Sequence, residues 1–261
     1  MLKPETISSA ANPLVKDVRR AIERGGLTSQ GWCVAETIHL LDEALRSECR
    51  VWAVLVAESA QSQLPPLADV KVAILPDALL QKISATETSQ GVIALVEPPE
   101  WKLEQLFHGN ALVMVLDRLQ DPGNAGAIIR AAEAFGATGA MFLKGTASPF
   151  NPKTLRASAG SLFRVPFLYG LDSALALSAL QERGTAIFAA VPSNPRARLA
   201  DADFTVPCAL IAGNEAHGVS QELRAAAREV SIPTMAVESL NAAMAAGILL
   251  YEARRQRVQH A

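Results

Sequence analysis

Leu112-Val113-Met114-Val115-Leu116, running into Asp117-Arg118-Leu119-Gln120-Asp121-Pro122-Gly123-Asn124-Ala125-Gly126, decides how most of this chain folds. Five apolar residues in an unbroken run read as a strand buried on both faces, and the Pro-Gly step after them turns the chain into a helix. On that helix Ala125, Ile128, Ile129, Ala132 and Phe135 recur at helical spacing and leave Arg130 on another face. Working outward, the same alternation repeats. Strand-like runs fall at 140–143, 165–168, 186–191, 209–212 and 230–232, helical patterns lie between most of them, and a long one covers 240–259. Short apolar strands separated by helices predict an α/β fold whose parallel sheet is covered on both faces. Such sheets bind ligands beyond the carboxyl ends of their strands, which directs attention to the segments after Leu116, Ala212 and Ile232.

Toward the N-terminus the pattern breaks at Glu97-Pro98-Pro99-Glu100, where two prolines separate an apolar run from a new amphipathic start. We therefore expect a small α/β unit over 1–97, a linker over 98–106 and the parallel-sheet domain over 107–261. The small unit reads as helices at 13–24 and 37–46, strands at 32–35, 51–57, 70–75 and 91–96, and a polar loop at 61–66.

Composition narrows the function classes. Of 261 residues, 50% are hydrophobic and 19% charged, the balance of a globular protein. A net charge of −2 argues against binding nucleic acid by bulk electrostatics. Residues 1–100 carry 9 Lys and Arg against 13 Asp and Glu, and the remainder 15 against 13. Any RNA contact must come from local patches such as Lys16, Arg19 and Arg20, which also fit the solvated face of a helix. Three scattered cysteines and four dispersed histidines give neither a disulfide framework nor a metal site. No apolar run has bilayer length and no signal-peptide core precedes the first helix, so a cytoplasmic protein is expected.

Three loops place polar residues at strand ends. In the first, Asn124 is a candidate helix cap and anion-binding start, with Arg130 about two turns on. In the second, Gly213-Asn214-Glu215-Ala216-His217-Gly218 follows an apolar strand and sets a carboxylate and an imidazole between glycines; no Gly-Lys-Ser/Thr follows, so it is not a phosphate-binding P-loop. In the third, Ile232 leads through Glu238-Ser239-Leu240-Asn241 into the long helix. Ser239 is placed to cap that helix, leaving Asn241 in its first turn, where asparagine is a poor helix former and its amide is available to a ligand. The helix itself opens with small residues, Ala242 to Gly247, which suits close approach by another segment or subunit.

Together these segments resemble the SpoU family of the SPOUT class of RNA methyltransferases: Asn-Ala-Gly-Ala-Ile-Ile-Arg at 124–130, Gly213-Asn214-Glu215 with Gly218, and Ser239-Leu240-Asn241 before a small-residue helix, in the family's order. The run Phe150-Asn151-Pro152-Lys153 with Arg156, Ser158 and Gly160 is also similar. Ser8 to Lys16, Val34-Ala35-Glu36, and Thr86-Glu87-Thr88 with Gln90-Gly91 resemble the ribosomal-protein-like RNA-binding domain that some members carry. Thr37 departs from that pattern, standing where a glycine is usual, and Ala131 and Ala242-Ala243 depart from the main motifs.

The resemblance implies a deep trefoil knot, a homodimer sharing its active sites, S-adenosylmethionine as cofactor and methyl transfer to a ribose 2′-hydroxyl, with ribosomal RNA the expected target and transfer RNA or a non-catalytic RNA-binding role the alternatives. It assigns cofactor contacts to Leu210, Ile211, Ala212, Gly213, Asn214, Gly218, Ile232 and Leu240. It centres the chemistry on Arg130, with Asn124, Glu215, Ser239 and Asn241 around it, and it gives RNA phosphates to Lys153 and Arg156. Because guanidinium stays protonated, Arg130 suits a phosphate clamp and alkoxide stabiliser better than a base.

Overall fold

A computed structural model describes residues 4–86, 89–192, 194 and 196–259. Its contacts divide the chain into two compact units, 1–100 with 148–164 and 101–147 with 165–261. The segment 148–164, which the sequence reading includes in the second domain, packs with the first. Glu87 and Thr88 of the quoted resemblance lie outside the described residues.

The first unit is built from β1 (Glu5–Thr6), α1 (Pro13–Arg24), β2 (Cys33–Glu36), α2 (Ile38–Arg46), β3 (Val51–Ala57), β4 (Lys71–Leu75), α3 (Asp77–Ile83) and β5 (Val92–Val96). Its sheet runs β1-β4-β3-β5-β2, with β5 antiparallel to both neighbours. The dyad β1 and helix α3 escape a pattern reading because two and seven residues are too short to show a period. In α1, Val15, Val18 and Ala21 are buried, which turns Lys16, Arg19 and Arg20 to solvent.

Thr37 stands where the backbone favours a glycine. Its φ is 119° with ψ 151°, a region that a β-branched residue enters only under strain. Its hydroxyl accepts from Leu40 N at 3.1 Å and so caps α2, which offsets part of the cost.

The second unit holds β6 (Leu112–Asp117), α4 (Pro122–Ala134), β7 (Gly139–Leu143), β8 (Phe167–Leu171), α6 (Ser173–Gln181), β9 (Ala186–Ala190), β10 (Cys208–Gly213), α7 (Gln221–Ala225), β11 (Arg228–Val230) and α8 (Ala242–Gln259); α5 (Pro152–Ser158) belongs to the first unit. The six strands are parallel throughout, in the order β11-β9-β10-β6-β7-β8. Alternate residues feed the two faces. Val113, Val115, Met141, Ala209 and Ile211 pack with Ala176 and Leu180 of α6 and Leu223 of α7. On the other side α4 and α8 lie together, burying Ile128, Ile129 and Ala132 beside Ala246, Leu249 and Leu250. Of the small residues that open α8, Ala246 is the one buried in this contact.

The far end of α8 is pinned by Arg257. Its Nε donates to Phe204 O at 2.8 Å, Nη1 to Asn110 O at 2.6 Å, and Nη2 to Ala111 O and Val206 O at 3.0 and 2.9 Å. Four carbonyls on one guanidinium use its fixed fork geometry and hold the last turn of the helix in place. Burial beside this clasp pushes the Cys208 thiol up to about 11, despite the nearby positive charge.

Candidate active site

The carboxyl ends of β9, β10 and β11 and the start of α8 meet around a cavity of about 640 Å³. Pockets for small organic ligands commonly have this size. Val191, Ile232, Leu240 and Leu249 give it an apolar side, and Asn214, Glu215, His217, Ser239 and Asn241 a polar one.

Glu215 and Asn241 on its polar side are joined through Asn124. The Glu215 carboxylate accepts from the backbone N–H groups of Gln120 and Asp121 at 3.2 and 3.3 Å and from Asn124 Nδ2 at 3.1 Å. Asn124 Oδ1 in turn accepts from Asn241 Nδ2 at 3.0 Å. Asn241 Oδ1 then accepts from Ala243 N and Met244 N at 2.9 and 3.2 Å. Each amide donates toward the carboxylate and accepts from the side of the helix, so an ionised Glu215 sets the direction of the whole run. Partial burial pushes the Glu215 carboxyl up, but the bonds from Asn124, Gln120 and Asp121 outweigh it and hold the group below its ordinary value.

Two capping expectations are corrected here. Asn124 does not cap α4: the helix starts at Pro122, and Asp121 Oδ1 accepts from Asn124 N at 2.8 Å. Ser239 does not cap α8, which starts at Ala242 and is capped by Asn241. In each case the cap is the residue directly before the helix, and Asn124, inside the first turn, keeps its side chain for the polar chain.

The Gly213–Gly218 loop is closed by its own groups. Asn214 and Gly218 exchange backbone hydrogen bonds, and Asn214 Nδ2 donates to Arg118 O at 2.9 Å. Gly218 has φ 67°, and a Cβ at Gly213 would overlap the backbone of Gly218 and Val219. Gly213 is therefore required by its own chain. Below the loop the buried Asp117 accepts from Ser220 N at 2.6 Å and pairs with Arg118 Nε at 3.2 Å.

The family model for SpoU rRNA methylases matches residues 111–251, the span that contains every one of these elements. The chain belongs to the SpoU rRNA methylase family. A second model, the MRM3-like substrate binding domain, matches 12–94. Among SpoU relatives, an uncharacterized tRNA/rRNA methyltransferase of Synechocystis is 35% identical over 97% of this chain and 94% of its own length. The 23S rRNA (guanosine(2553)-2′-O)-methyltransferase RlmP of Bacillus subtilis is 32% identical over 95% and 98%. The SpoU methyltransferase AviRb from Streptomyces viridochromogenes, solved in complex with AdoMet, is 28% identical, covers 95% of this chain and 100% of that one, and superposes with a TM-score of 0.81.

Within this SpoU fold the structure gathers Asn124, Glu215 and Asn241 into one hydrogen-bonded set and puts Ser239 on the cavity rim. Arg130 is exposed on α4, two turns beyond the Asp121 cap. Of the expected cofactor residues, Ala212, Gly213, Asn214, Gly218, Ile232 and Leu240 line the cavity. Leu210 and Ile211 lie inside β10, fully buried and away from it. Lys16, Arg19, Arg20 and Lys153 are exposed in the first unit, where Arg19 Nε lies 3.4 Å from Glu23. Arg156 is paired with the buried Glu36, which also accepts from Ala85 N at 2.6 Å. The sequence reading missed Val191 and Pro192. They follow β9, which the sheet places between β10 and β11 and away from β8, the strand that precedes it in the chain.

Proposed function

We propose that this chain transfers the methyl group of S-adenosylmethionine to a ribose 2′-hydroxyl of ribosomal RNA. The observation that carries this reading is the Glu215–Asn124–Asn241 chain, which joins the wall of the cavity to the start of the helix bearing Arg130.

The cavity suits an adenosyl group. Val191, Ile232, Leu240 and Leu249 offer apolar surface to a flat ring, while backbone groups at the strand ends and the polar side chains opposite offer partners to its edges and to the ribose. When bound, the cofactor supplies an electrophilic methyl on a sulfonium centre. The protein's part is placement and charge. Glu215 and the two asparagines hold the loop after β6, the start of α4 and the start of α8 in one geometry, so that substrate and cofactor meet in line. Arg130 clamps an RNA phosphate and stabilises negative charge growing on the hydroxyl oxygen. Ser239, exposed at the rim, offers a further donor.

The division of labour follows the two matched models, with RNA held by the first unit through Lys16, Arg19 and Arg20 and chemistry carried by the second. We assign the segment around α8 to a trefoil knot and the working form to a homodimer. Met244, Tyr251 and Val258 support the dimer, being exposed apolar residues spaced seven apart along one face of α8. With ribosomal RNA as substrate, the reaction belongs to the cytoplasm.

Incubation of total RNA with cofactor labelled in the methyl group tests the reading. Label should appear as a 2′-O-methylated nucleoside in ribosomal RNA. Base methylation, or label confined to transfer RNA, overturns it.

A further inference from the structure

Two tryptophans and an arginine in the first unit form a stack that the methyl-transfer site does not use. Trp32 precedes Cys33, and Trp52 follows Val51; both of those neighbours pair with Val96 of β5. The tryptophans therefore come from strands two apart in the sheet, separated by about 10 Å. They nevertheless meet, with ring centroids 5.3 Å apart and planes inclined by 25°. Arg50 completes the stack, its guanidinium carbon 3.5 Å from the Trp52 ring centre.

The backbone is arranged for this. Trp52 is the extra residue of a β-bulge, since Val51 pairs with Val96 and Ala53 with Leu95. A bulge re-aims a side chain and is found where one is needed. Trp32 is held from both sides by the buried Thr28, whose N–H donates to Trp32 O at 2.8 Å and whose hydroxyl accepts from Trp32 N at 3.1 Å. Both rings remain partly open to solvent and Arg50 is exposed. The Trp52 indole N–H has no partner among the described residues, so a hydrogen bond is not what holds the ring there.

A rigid aromatic pair with a cationic lid offers flat surface to another π-system, and its cation suits a polyanion. We propose that the Trp32–Trp52–Arg50 stack receives an unpaired RNA base, making it the element of the first unit that prefers single-stranded or looped RNA over duplex. This rests on the reading of the chain as an RNA methyltransferase and names the feature of the substrate that the first unit grips. A base stacked on Trp32 or over the outer face of the guanidinium is read by its flat surface and not by its edges, so the preference is for unstacked bases and not for a particular one.

Binding of the full chain to a fluorescein-labelled twelve-residue oligoadenylate, and to a blunt duplex of equal length, tests this. Trp32→Ala should weaken oligoadenylate binding roughly five- to a hundred-fold and leave duplex binding within about two-fold. The loss should persist at raised salt, whereas Arg50→Ala should also flatten the salt dependence. Tryptophan emission of the Trp101→Phe protein should fall on adding oligoadenylate. Should Trp32→Ala unfold the unit, Trp32→Leu and the emission change carry the test. Equal affinity of wild type and a folded Trp32 variant for oligoadenylate overturns the proposal, as does equal loss on both probes. Methylation of ribosomal RNA by wild type is scored separately, so failure of the stack leaves the reaction standing, and absence of methylation in wild type sinks the reading beneath it.

Discussion

Asn241 Nδ2 donates to Asn124 Oδ1 at 3.0 Å, joining residues 117 apart in sequence at the point where two helices begin. The bond works in one direction. Asn241 spends its carbonyl oxygen on the first N–H groups of α8, and Asn124 spends its amide nitrogen on Glu215. Turning the Asn124 amide would lose two bonds, and turning that of Asn241 three.

Asn124→Ala removes both side-chain bonds and should lower stability by about 1–2 kcal/mol. Turnover should fall at least ten-fold beyond that, because the two helix starts lose their common tie. Asn124→Asp should be worse, since it faces Glu215 with a second carboxylate. Melting curves and turnover on ribosomal RNA, compared across the two variants, check this.

Arg130→Ala should nearly abolish transfer while cofactor binding is unchanged and stability stays within about 0.5 kcal/mol, as for other exposed positions. Calorimetric titration with S-adenosylmethionine beside single-turnover transfer separates the two effects. Retained turnover removes Arg130 from the chemistry.

Glu215 makes the site sensitive to acid. Its folded-state value lies below the ordinary 4.5, so its contribution is complete above about that pH and disappears as pH falls through the depressed value. Cofactor affinity should therefore hold through the ordinary carboxylate range and fall only as pH drops below it, and Glu215→Gln should remove that step. Titrations at fixed ionic strength measure it.

Arg156 tests a reassignment from RNA contact to structural partner. Arg156→Met strands the buried Glu36 carboxylate and should destabilise the first unit by about 3–5 kcal/mol. Adding Glu36→Gln should recover most of that. A phosphate contact would instead lower RNA affinity and leave the melting temperature alone.

Thr37→Gly should raise stability. It relieves a backbone conformation costing about 1–3 kcal/mol, and a threonine-to-glycine change at a cap costs only about a few tenths. A melting temperature that falls would show that the hydroxyl bond to Leu40 outweighs the strain.

What the sequence carried is local or periodic. Continuous apolar runs such as 112–116 and 209–212 marked buried parallel strands, because a strand covered on both faces has no polar side to show. The residues needed for the polar chain were visible too, since Asn124, Glu215 and Asn241 stand at strand ends where a core has no use for them. Even the odd residue Thr37 was readable as a departure, though only its φ gives the reason.

By itself, then, the sequence determined the α/β class, the three loops and the residue types of the candidate site. Tertiary structure decided how those residues are used. Strand order brought Val191 to the cavity because β9 neighbours β10 and not the strand before it in the chain. Helix starts shifted by a few residues, handing the caps to Asp121 and Asn241. Arg156 became the partner of Glu36, 120 residues away, because a buried carboxylate must be neutralised by whatever cation the fold delivers to it. Long-range pairing of this kind leaves no period in a sequence, since it depends on which distant segments the packed sheet and helices bring into reach.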